Sequence, residues 1–241
     1  MDWPPPVEIL NPGGRSDIVL LCEHASNHIP AEYAGLGLPD HELSRHIAWD
    51  PGAAAMTRRL SALLDAPAYL GTFSRLLIDL NRPLVAQSSI VVRSEATDIP
   101  GNQDIGPAER NRRIERIFQP YHSEVSRVLD ARQAAARPTR LVSIHSFTPV
   151  FLDVARPWHC GVLFDQAKAF GEALVERLRR PDLVVGANVP YQSSRDEDYA
   201  IPIYGDDRGI PAVLIELRQD LISHDDGAAQ WASRLADALV A

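Results

Sequence analysis

Residues 18–22 read Ile-Val-Leu-Leu-Cys and lead directly into Glu23 and His24. Short apolar runs rich in β-branched residues are typical of strands that are buried on both faces of a sheet. The segment that follows, residues 25–30, contains Ser, Asn and Pro, which favour a turn. We therefore predict a buried strand that delivers a carboxylate and an imidazole into a loop.

Two further apolar runs end in residue types that metal-assisted hydrolysis uses. Residues 141–144 lead into His145, and residues 212–215 lead into Glu216. Buried strands in a mixed α/β chain usually lie parallel, and ligands of such sheets bind beyond the carboxyl ends of the strands. Three distant parts of the chain are thus predicted to meet at one site.

Strand-like and helix-like segments alternate along the chain, and a proline at residue 120 is expected to break the longest helix. Helices are predicted at about residues 40–47, 50–64, 107–136, 166–179 and 227–240. Further strands are predicted at about residues 66–70, 76–80, 160–164 and 183–185. This alternation predicts an α/β fold with a mostly parallel mixed sheet covered by helices on both faces. We expect a single domain over residues 1–241, with residues 1–15 an extended leader.

The bulk composition narrows the class of protein. With 45% hydrophobic and 23% charged residues, the chain has the composition of an ordinary globular domain. The net charge of −8 argues against nucleic acid as a partner, because phosphate binding needs a basic face. Cys22 and Cys160 lie in apolar runs without a C-x-x-C spacing, so we expect them to be reduced core residues. No Gly-rich phosphate loop or G-x-S-x-G motif is present in the sequence.

The location of the protein is predicted from its apolar segments. No stretch approaches the roughly 18 uninterrupted apolar residues of a membrane span. The N-terminus, Met-Asp-Trp-Pro-Pro-Pro, lacks the basic start and apolar core of a signal peptide. A cytoplasmic location without membrane association is the expectation, and the sequence leaves the oligomeric state open.

The strand-end histidines, His24 and His145, are candidate metal ligands. Asp50 is the candidate for a third ligand, because zinc accepts mixed sets of imidazole and carboxylate groups. Asp50 is also followed by Pro and Gly, a sequence that starts helices well, so a role as a helix cap is an equal alternative. His46 and Glu23 are competing third ligands.

Glu216 follows four apolar residues, where a carboxylate needs a partner. One alternative is a structural salt bridge with Arg218. The other is a general acid or base whose pKa is tuned by apolar surroundings and a nearby metal.

Several arginines near strand ends are candidates for binding an anionic substrate, because the guanidinium group binds carboxylates bidentately. Asp79, inside one of these segments, is expected to orient an arginine. Ordinary ion pairs with protein carboxylates are an equal alternative for any single arginine. The candidate substrate-binding residues are Arg75, Asn81, Arg82 and Arg218.

Six motifs in series resemble the N-formylglutamate amidohydrolase family. They are CEHASNHIP (22–30), HIAWDPG (46–52), SRLLIDLNRP (74–83), SIHSFTP (143–149), RPWHCGVLF (156–164) and IELRQDL (215–221). The resemblance implies a metal-dependent amidohydrolase with a fold similar to that of zinc carboxypeptidases and phosphorylase-type hydrolases. It implies metal binding by His24 and His145, with Asp50 as the third ligand, and acid/base catalysis by Glu216.

Two positions depart from the pattern expected of that family. Tyr204 stands where a histidine is expected, and Val189 stands where a glutamate is expected. Both lie in segments that we expect to contact substrate.

Together these features predict zinc-dependent hydrolysis of a small anionic N-acyl amino acid, N-formyl-L-glutamate first among them. One alternative is a zinc amidase that acts on a peptide or cell-wall fragment, although the absence of an export signal argues against it. The other is a relative that binds a ligand without turnover, which the departures at Tyr204 and Val189 motivate.

Overall fold

The computed structural model describes residues 3–241. These residues form eleven strands, seven of which belong to one central sheet. The strands are β1 (Val7–Leu10), β2 (Ile18–Cys22), β3 (Ala68–Gly71), β4 (Arg93–Ser94), β5 (Thr97–Asp98), β6 (Arg140–Phe147), β7 (Val150–Phe151), β8 (Val154–Ala155), β9 (Cys160–Leu163), β10 (Val185–Ala187) and β11 (Ala212–Arg218).

The central sheet has the strand order β1-β3-β2-β6-β11-β9-β10. Strands β2, β6 and β11 are neighbours and run parallel at its centre. Strand β1 is antiparallel to β3, and β9 is antiparallel to β11, so the sheet is mixed but mostly parallel. The predicted α/β fold is confirmed. The four remaining strands form two small hairpins, β4–β5 and β7–β8.

Six α-helices are present in residues 3–241, and they cover both faces of the sheet. Alternate side chains of β2 show the two faces: Leu20 packs in the apolar cluster that contains Leu60 and Leu235, whereas Leu21 packs in the cluster that contains Val125. The helices are α1 (Asp40–Leu43), α2 (Ala53–Leu64), α3 (Pro107–Arg113), α4 (Gln119–Ala134), α5 (Lys168–Leu178) and α6 (Asp225–Val240).

The long helix predicted from residue 107 is interrupted as expected. A wider π-type segment, Ile114–Phe118, separates α3 from α4. Pro120 follows this wider segment directly and lies in the first turn of α4, at the point where the regular helix is expected to break.

One predicted strand is wrong, and several predicted bounds differ from those of the structure; the strand predicted at 183–185, for example, is β10 at Val185–Ala187. Residues 76–80 form turns and irregular structure instead of a strand, although Leu76, Ile78 and Leu80 are buried. An apolar run in the sequence indicates that a segment is buried, but it does not show that the segment pairs in a sheet. The helix predicted at 40–47 is limited to α1. The predicted leader contains the edge strand β1, and its residues 1–2 lie outside the described part of the chain.

Cys22 and Cys160 are free and buried, as predicted. None of the helices described for residues 3–241 has the length and apolar composition needed to cross a membrane.

Candidate metal centre

Three neighbouring strand ends bring the predicted residues together. In the pairing of β6 with β11, His145 lies directly opposite Glu216. Glu23 and His24 follow the last residue of β2, which pairs with the other edge of β6. All four side chains are buried. His24, His145 and Glu216 line one cavity of about 400 Å³.

His24, Asp50 and His145 form a compact cluster beside this cavity. Oδ2 of Asp50 lies 3.0 Å from Nδ1 of His145 and 3.4 Å from Nδ1 of His24. Each residue offers one ligand atom, and these atoms lie within 4.8 Å of one another. Imidazole nitrogen and carboxylate oxygen are ligands that zinc and related divalent ions accept. The cluster therefore has the donor set of a metal site with three protein ligands.

A second carboxylate holds the outer nitrogen of each imidazole. Nε2 of His24 donates to Oδ1 of Asp79 at 2.7 Å, and Nε2 of His145 donates to Oε2 of Glu23 at 3.0 Å. In the neutral form that carries its proton on Nε2, each imidazole has its Nδ1 lone pair on the side of Asp50, free to bind a metal ion. Metal-binding histidines are commonly oriented by a carboxylate in this way. The residues present therefore fit a bound divalent ion.

Asp50 does not cap helix α2. The residue before the helix is Gly52, and the Asp50 carboxylate instead accepts a hydrogen bond from the Ser146 backbone N–H at 3.2 Å. Gly52 has a φ of +85°, and a Cβ at this position would lie 2.6 Å from the backbone oxygen of Ile222. The left-handed turn at Gly52 thus separates Asp50 from the helix and leaves its side chain free to face the histidines.

The buried acids and imidazoles stabilise one another's charged forms. Burial opposes ionisation of Asp50, but His24 and His145 lower its pKa strongly. Burial also opposes ionisation of Glu23, but the hydrogen bond and charge of His145, the hydrogen bond from Ser143 and the charge of His24 together lower its pKa. For His145, hydrogen bonds to Asp50 and Glu23 overcome burial and raise the pKa well above its ordinary value. The cluster is therefore a place where ionised carboxylates attract positive charge.

Glu216 differs from Asp50 because its Oε2 is buried without a hydrogen-bond partner among the described residues. Oε1 of Glu23 is also buried without a partner, but the other oxygen of Glu23 accepts hydrogen bonds from Ser143 and His145. Burial raises its pKa to about 8, against the opposing positive charge of His145 and with a smaller contribution from Asp50. A carboxyl group that exchanges its proton near neutral pH and lines a cavity is suited to general acid/base catalysis.

Arg75 and Arg82 line the cavity, but both are already ion-paired. Arg75 donates to Oδ2 of Asp79 through Nε at 3.0 Å and Nη2 at 2.6 Å, and its Nη1 lies 3.4 Å from Asp50. Burial opposes ionisation of Asp79, but Arg75 and His24, with a smaller contribution from Arg82, together hold its pKa well below the ordinary value. Nη1 of Arg82 lies 3.2 Å from Oδ1 of Asp198. Asp79 thus orients both an arginine and a histidine.

Asn81 and Arg218 have different positions. Asn81 lines the cavity, and its Oδ1 accepts a hydrogen bond from the Ala200 backbone N–H at 2.9 Å. Arg218 is not part of the cavity lining, and its Nε lies 2.8 Å from Oδ1 of Asp220. The structure does not bring Arg218 to the site, and it pairs Arg218 with Asp220 rather than with Glu216.

The two alternatives to Asp50 as third ligand have other partners. His46 lines the cavity, but its Nε2 lies 3.3 Å from Glu95. Glu23 accepts hydrogen bonds from the Ser143 hydroxyl at 2.6 Å and from His145. The geometry favours Asp50.

The two departures from the family pattern do not contribute to the cavity lining. The Tyr204 side chain is buried, and its hydroxyl contacts Nδ1 of His122. The backbone oxygen of Val189 packs tightly on Gly161. A Cβ atom added to Gly161 would lie only 1.6 Å from this oxygen. The expected contact of these two positions with substrate is not supported by their placement.

One cluster beside the cavity was not predicted from the sequence. The guanidinium carbon of Arg156 lies 4.6 Å from the ring centroid of Phe151, 4.9 Å from that of Tyr191 and 5.7 Å from that of Phe147. All three rings line the cavity. Arg156 follows the β7–β8 hairpin, whose strands of two residues are too short to give a periodic signal.

Comparison with known proteins identifies the family of the chain. A sequence model of the N-formylglutamate amidohydrolase family matches residues 16–223, a span that contains every cavity residue named above. The chain belongs to the N-formylglutamate amidohydrolase family. Family membership supports an amidohydrolase function with a small amide as substrate.

Two solved structures resemble the chain over nearly its whole length. A gene product of Agrobacterium tumefaciens is 38% identical with a TM-score of 0.95, and the match covers 98% of this chain and 94% of that one. An N-formylglutamate amidohydrolase from Ralstonia eutropha is 19% identical with a TM-score of 0.77, and the match covers 98% of this chain and 96% of that one. The latter likeness shows a shared fold. A search of curated proteins found no significant match.

Proposed function

We propose that this family member hydrolyses the amide bond of an N-formylated acidic amino acid, N-formyl-L-glutamate, to formate and L-glutamate. The observation that carries the proposal is the His24, Asp50 and His145 cluster beside the unpaired Glu216 in one cavity. The cavity volume of about 400 Å³ is in the range of small-molecule sites.

The cluster is proposed to hold a divalent metal ion, most simply zinc. Metal binding requires neutral imidazoles and ionised carboxylates, so in the metal-bound protein Glu23, Asp50 and Asp79 would be three buried negative charges, with Arg75 supplying one positive charge among them. With neutral imidazoles, about two negative charges remain, and buried charge is costly unless it is compensated. A bound divalent ion balances them and supplies a Lewis acid that polarises an acyl carbonyl and increases the acidity of water.

Glu216 is the proposed general acid/base. Its carboxylate accepts the proton of the attacking water, and its carboxyl form then donates a proton to the leaving amine nitrogen. Both protonation states are accessible near neutral pH, because burial raises the pKa of Glu216 to about 8 against the opposing charge of His145. The register of β6 and β11 holds this side chain opposite His145 and so beside the metal cluster.

Substrate binding is assigned to Arg75, Arg82 and Asn81, which all line the cavity. An arginine has five N–H donors, so Arg82 retains donors for a substrate oxygen after its contact with Asp198. Arg218 is left out of the proposed site because Asp220 occupies both its Nε and its Nη2 donors.

The direct test is release of formate from N-formyl-L-glutamate by the purified protein. We expect activity to disappear on chelation, to return with zinc, and to be absent from His145→Ala. His41→Ala is a matched control, since His41 is an exposed histidine. Activity that survives both exhaustive chelation and His145→Ala contradicts the metal mechanism. If another N-acyl amino acid is cleaved and N-formyl-L-glutamate is not, the substrate assignment alone fails.

A further inference from the structure

Arg156 differs from the other arginines beside the cavity in having no carboxylate partner. Within residues 3–241 it forms no ion pair, whereas Arg75 and Arg82 each contact protein carboxylates. Its one side-chain hydrogen bond runs from Nη1 to the Tyr191 hydroxyl at 2.8 Å. A half-buried guanidinium group of this kind keeps its charge and most of its five donors.

Three aromatic rings fix the position of this charge. Phe147, Phe151 and Tyr191 lie with their ring centroids 4.6–5.7 Å from the guanidinium carbon, within the range of cation–π attraction. The same rings line the cavity that contains Glu216. The backbone N–H of Arg156 also donates to the Pro149 oxygen at 2.8 Å, which closes the β7–β8 hairpin. Arg156 itself is not one of the lining residues, so its guanidinium group is held next to the lining aromatic rings without being neutralised.

The unused edge of Arg156 is the one that suits a carboxylate. Nε and Nη2 present two parallel N–H groups, which match the two oxygens of a carboxylate. Arg75 uses this same edge on Asp79, at 3.0 and 2.6 Å. Arg218 uses it on Asp220, at 2.8 and 3.2 Å. In Arg156 this edge makes no hydrogen bond with any described residue.

We propose that Arg156 binds one carboxylate of the substrate bidentately through Nε and Nη2 and so determines the specificity of this cavity for an anionic amino acid derivative. This inference rests on the proposed function in taking an N-acyl amino acid as the ligand. The aromatic rings keep the guanidinium group in place before substrate arrives, which reduces the ordering that binding requires. Tyr191 is a positioning residue, because its hydroxyl holds Nη1 and leaves the opposite edge free.

The test is calorimetric binding of three probes to the zinc-loaded protein: L-glutamate, L-glutamine and the α-amide of L-glutamate. We expect Arg156→Met to weaken L-glutamate binding by about 10- to 100-fold, because the variant loses hydrogen bonds between charged groups. Arg156→Lys should give an intermediate loss of affinity, because lysine keeps the positive charge but lacks the two parallel N–H groups. If binding of L-glutamine is insensitive to Arg156→Met, Arg156 holds the γ-carboxylate, which glutamine lacks. If binding of the α-amide is insensitive, Arg156 holds the α-carboxylate.

Arg234→Met is the matched control, since Arg234 also lies over an aromatic ring, 4.9 Å from the centroid of Trp231, but on helix α6. It should bind L-glutamate as the wild-type protein does, and thermal unfolding should show that all variants are folded. KM for N-formyl-L-glutamate should rise in Arg156→Met by the factor seen in binding.

Equal affinity of the wild-type protein and Arg156→Met for L-glutamate overturns the proposal, and so does failure of all three probes to bind the wild-type protein. Equal sensitivity of all three probes to Arg156→Met also overturns it, because a bidentate pair depends on one carboxylate. If the wild-type protein binds L-glutamate through Arg156 but does not hydrolyse N-formyl-L-glutamate, the proposed function fails and the Arg156 assignment stands.

Discussion

His145 and His122 are both buried, but carboxylates surround His145 whereas aromatic rings surround His122. Each ring nitrogen of His145 lies 3.0 Å from a carboxylate oxygen, and these hydrogen bonds overcome burial and raise its pKa well above the ordinary value. His122 packs on Phe118, with 3.9 Å between ring centroids, and contacts the Tyr204 hydroxyl. Burial lowers the pKa of His122 to about 3.

The difference shows what distinguishes a structural histidine from a candidate ligand. Burial alone favours the neutral imidazole, as at His122, and the side chain then serves as an aromatic core residue. Burial together with two carboxylates, as at His145, creates a place where a cation is favoured. The sequence neighbourhood of a histidine does not reveal this difference, because the carboxylates come from distant parts of the chain.

The largest effect should separate these two histidines directly. We expect His145→Ala to lose at least about 10³-fold in activity, because the Lewis-acid contribution of a metal is several kcal/mol. The double variant His122→Phe with Tyr204→Phe should remain active and bind zinc, since it removes the hydrogen-bonded pair without leaving a buried hydroxyl unpaired. Formate release and zinc content by mass spectrometry measure both. Stoichiometric zinc in His145→Ala, or its loss from the double variant, would contradict the distinction.

The next effect concerns the proton carrier. Glu216→Gln keeps the shape of the side chain but removes its acid/base function, so kcat should fall by about 10²- to 10⁴-fold with zinc content unchanged. Asp220→Asn is the control, because Asp220 pairs with Arg218 outside the cavity lining. A kcat near the wild-type value in Glu216→Gln would remove Glu216 from the mechanism.

A smaller effect should come from the carboxylates that orient the histidines. We expect Glu23→Gln and Asp79→Asn each to weaken zinc binding by about 10- to 100-fold, because they hold Nε2 of the two imidazoles. Glu95→Gln is the matched control, since Glu95 lies beside His46, which is outside the cluster. Competition with a chelator of known affinity measures the change. The same zinc affinity in all three variants would show that the outer carboxylates do not support a metal.

The smallest effect is in stability. The folded pKa of His122, about 3, lies below the unfolded value of about 6.5, so only the unfolded chain takes up this proton between the two. The stability that neutral His122 contributes is complete above about pH 6.5 and is lost as pH falls toward 3. The slope is at most about 1.4 kcal/mol per pH unit.

Urea unfolding of the wild-type protein and the His122→Phe, Tyr204→Phe double variant between neutral and mildly acidic pH measures this slope. The free energy of unfolding should fall more steeply with acidification in the wild-type protein. Equal slopes would mean that His122 becomes protonated in the folded state.

The sequence predicted the strand ends that form the site because a buried strand has a simple signal. The runs before His24, His145 and Glu216 are short, apolar and bounded by polar residues, and parallel strands place their carboxyl ends together. The apolar run at residues 76–80 has a similar composition but forms turns, because loops above a sheet also bury apolar side chains.

The long-range pairs of the site have no comparable signal. Asp50 reads equally well as a helix cap until the left-handed turn at Gly52 is seen. Arg218 is the last residue of β11 and Arg156 directly follows β8. Asp220 occupies the guanidinium group of Arg218, whereas aromatic rings surround that of Arg156. Which arginine is free depends on the three-dimensional position of every nearby carboxylate, and a single sequence does not contain that information in readable form.

The central claim is that His24, Asp50 and His145 hold a divalent metal beside Glu216. An anomalous difference map, collected at the zinc edge from crystals of the zinc-loaded protein, tests it most directly. We predict one strong peak that contacts Nδ1 of both histidines and the Asp50 carboxylate. A peak at His46 and Glu95 instead, or no peak at the cluster, would contradict the account.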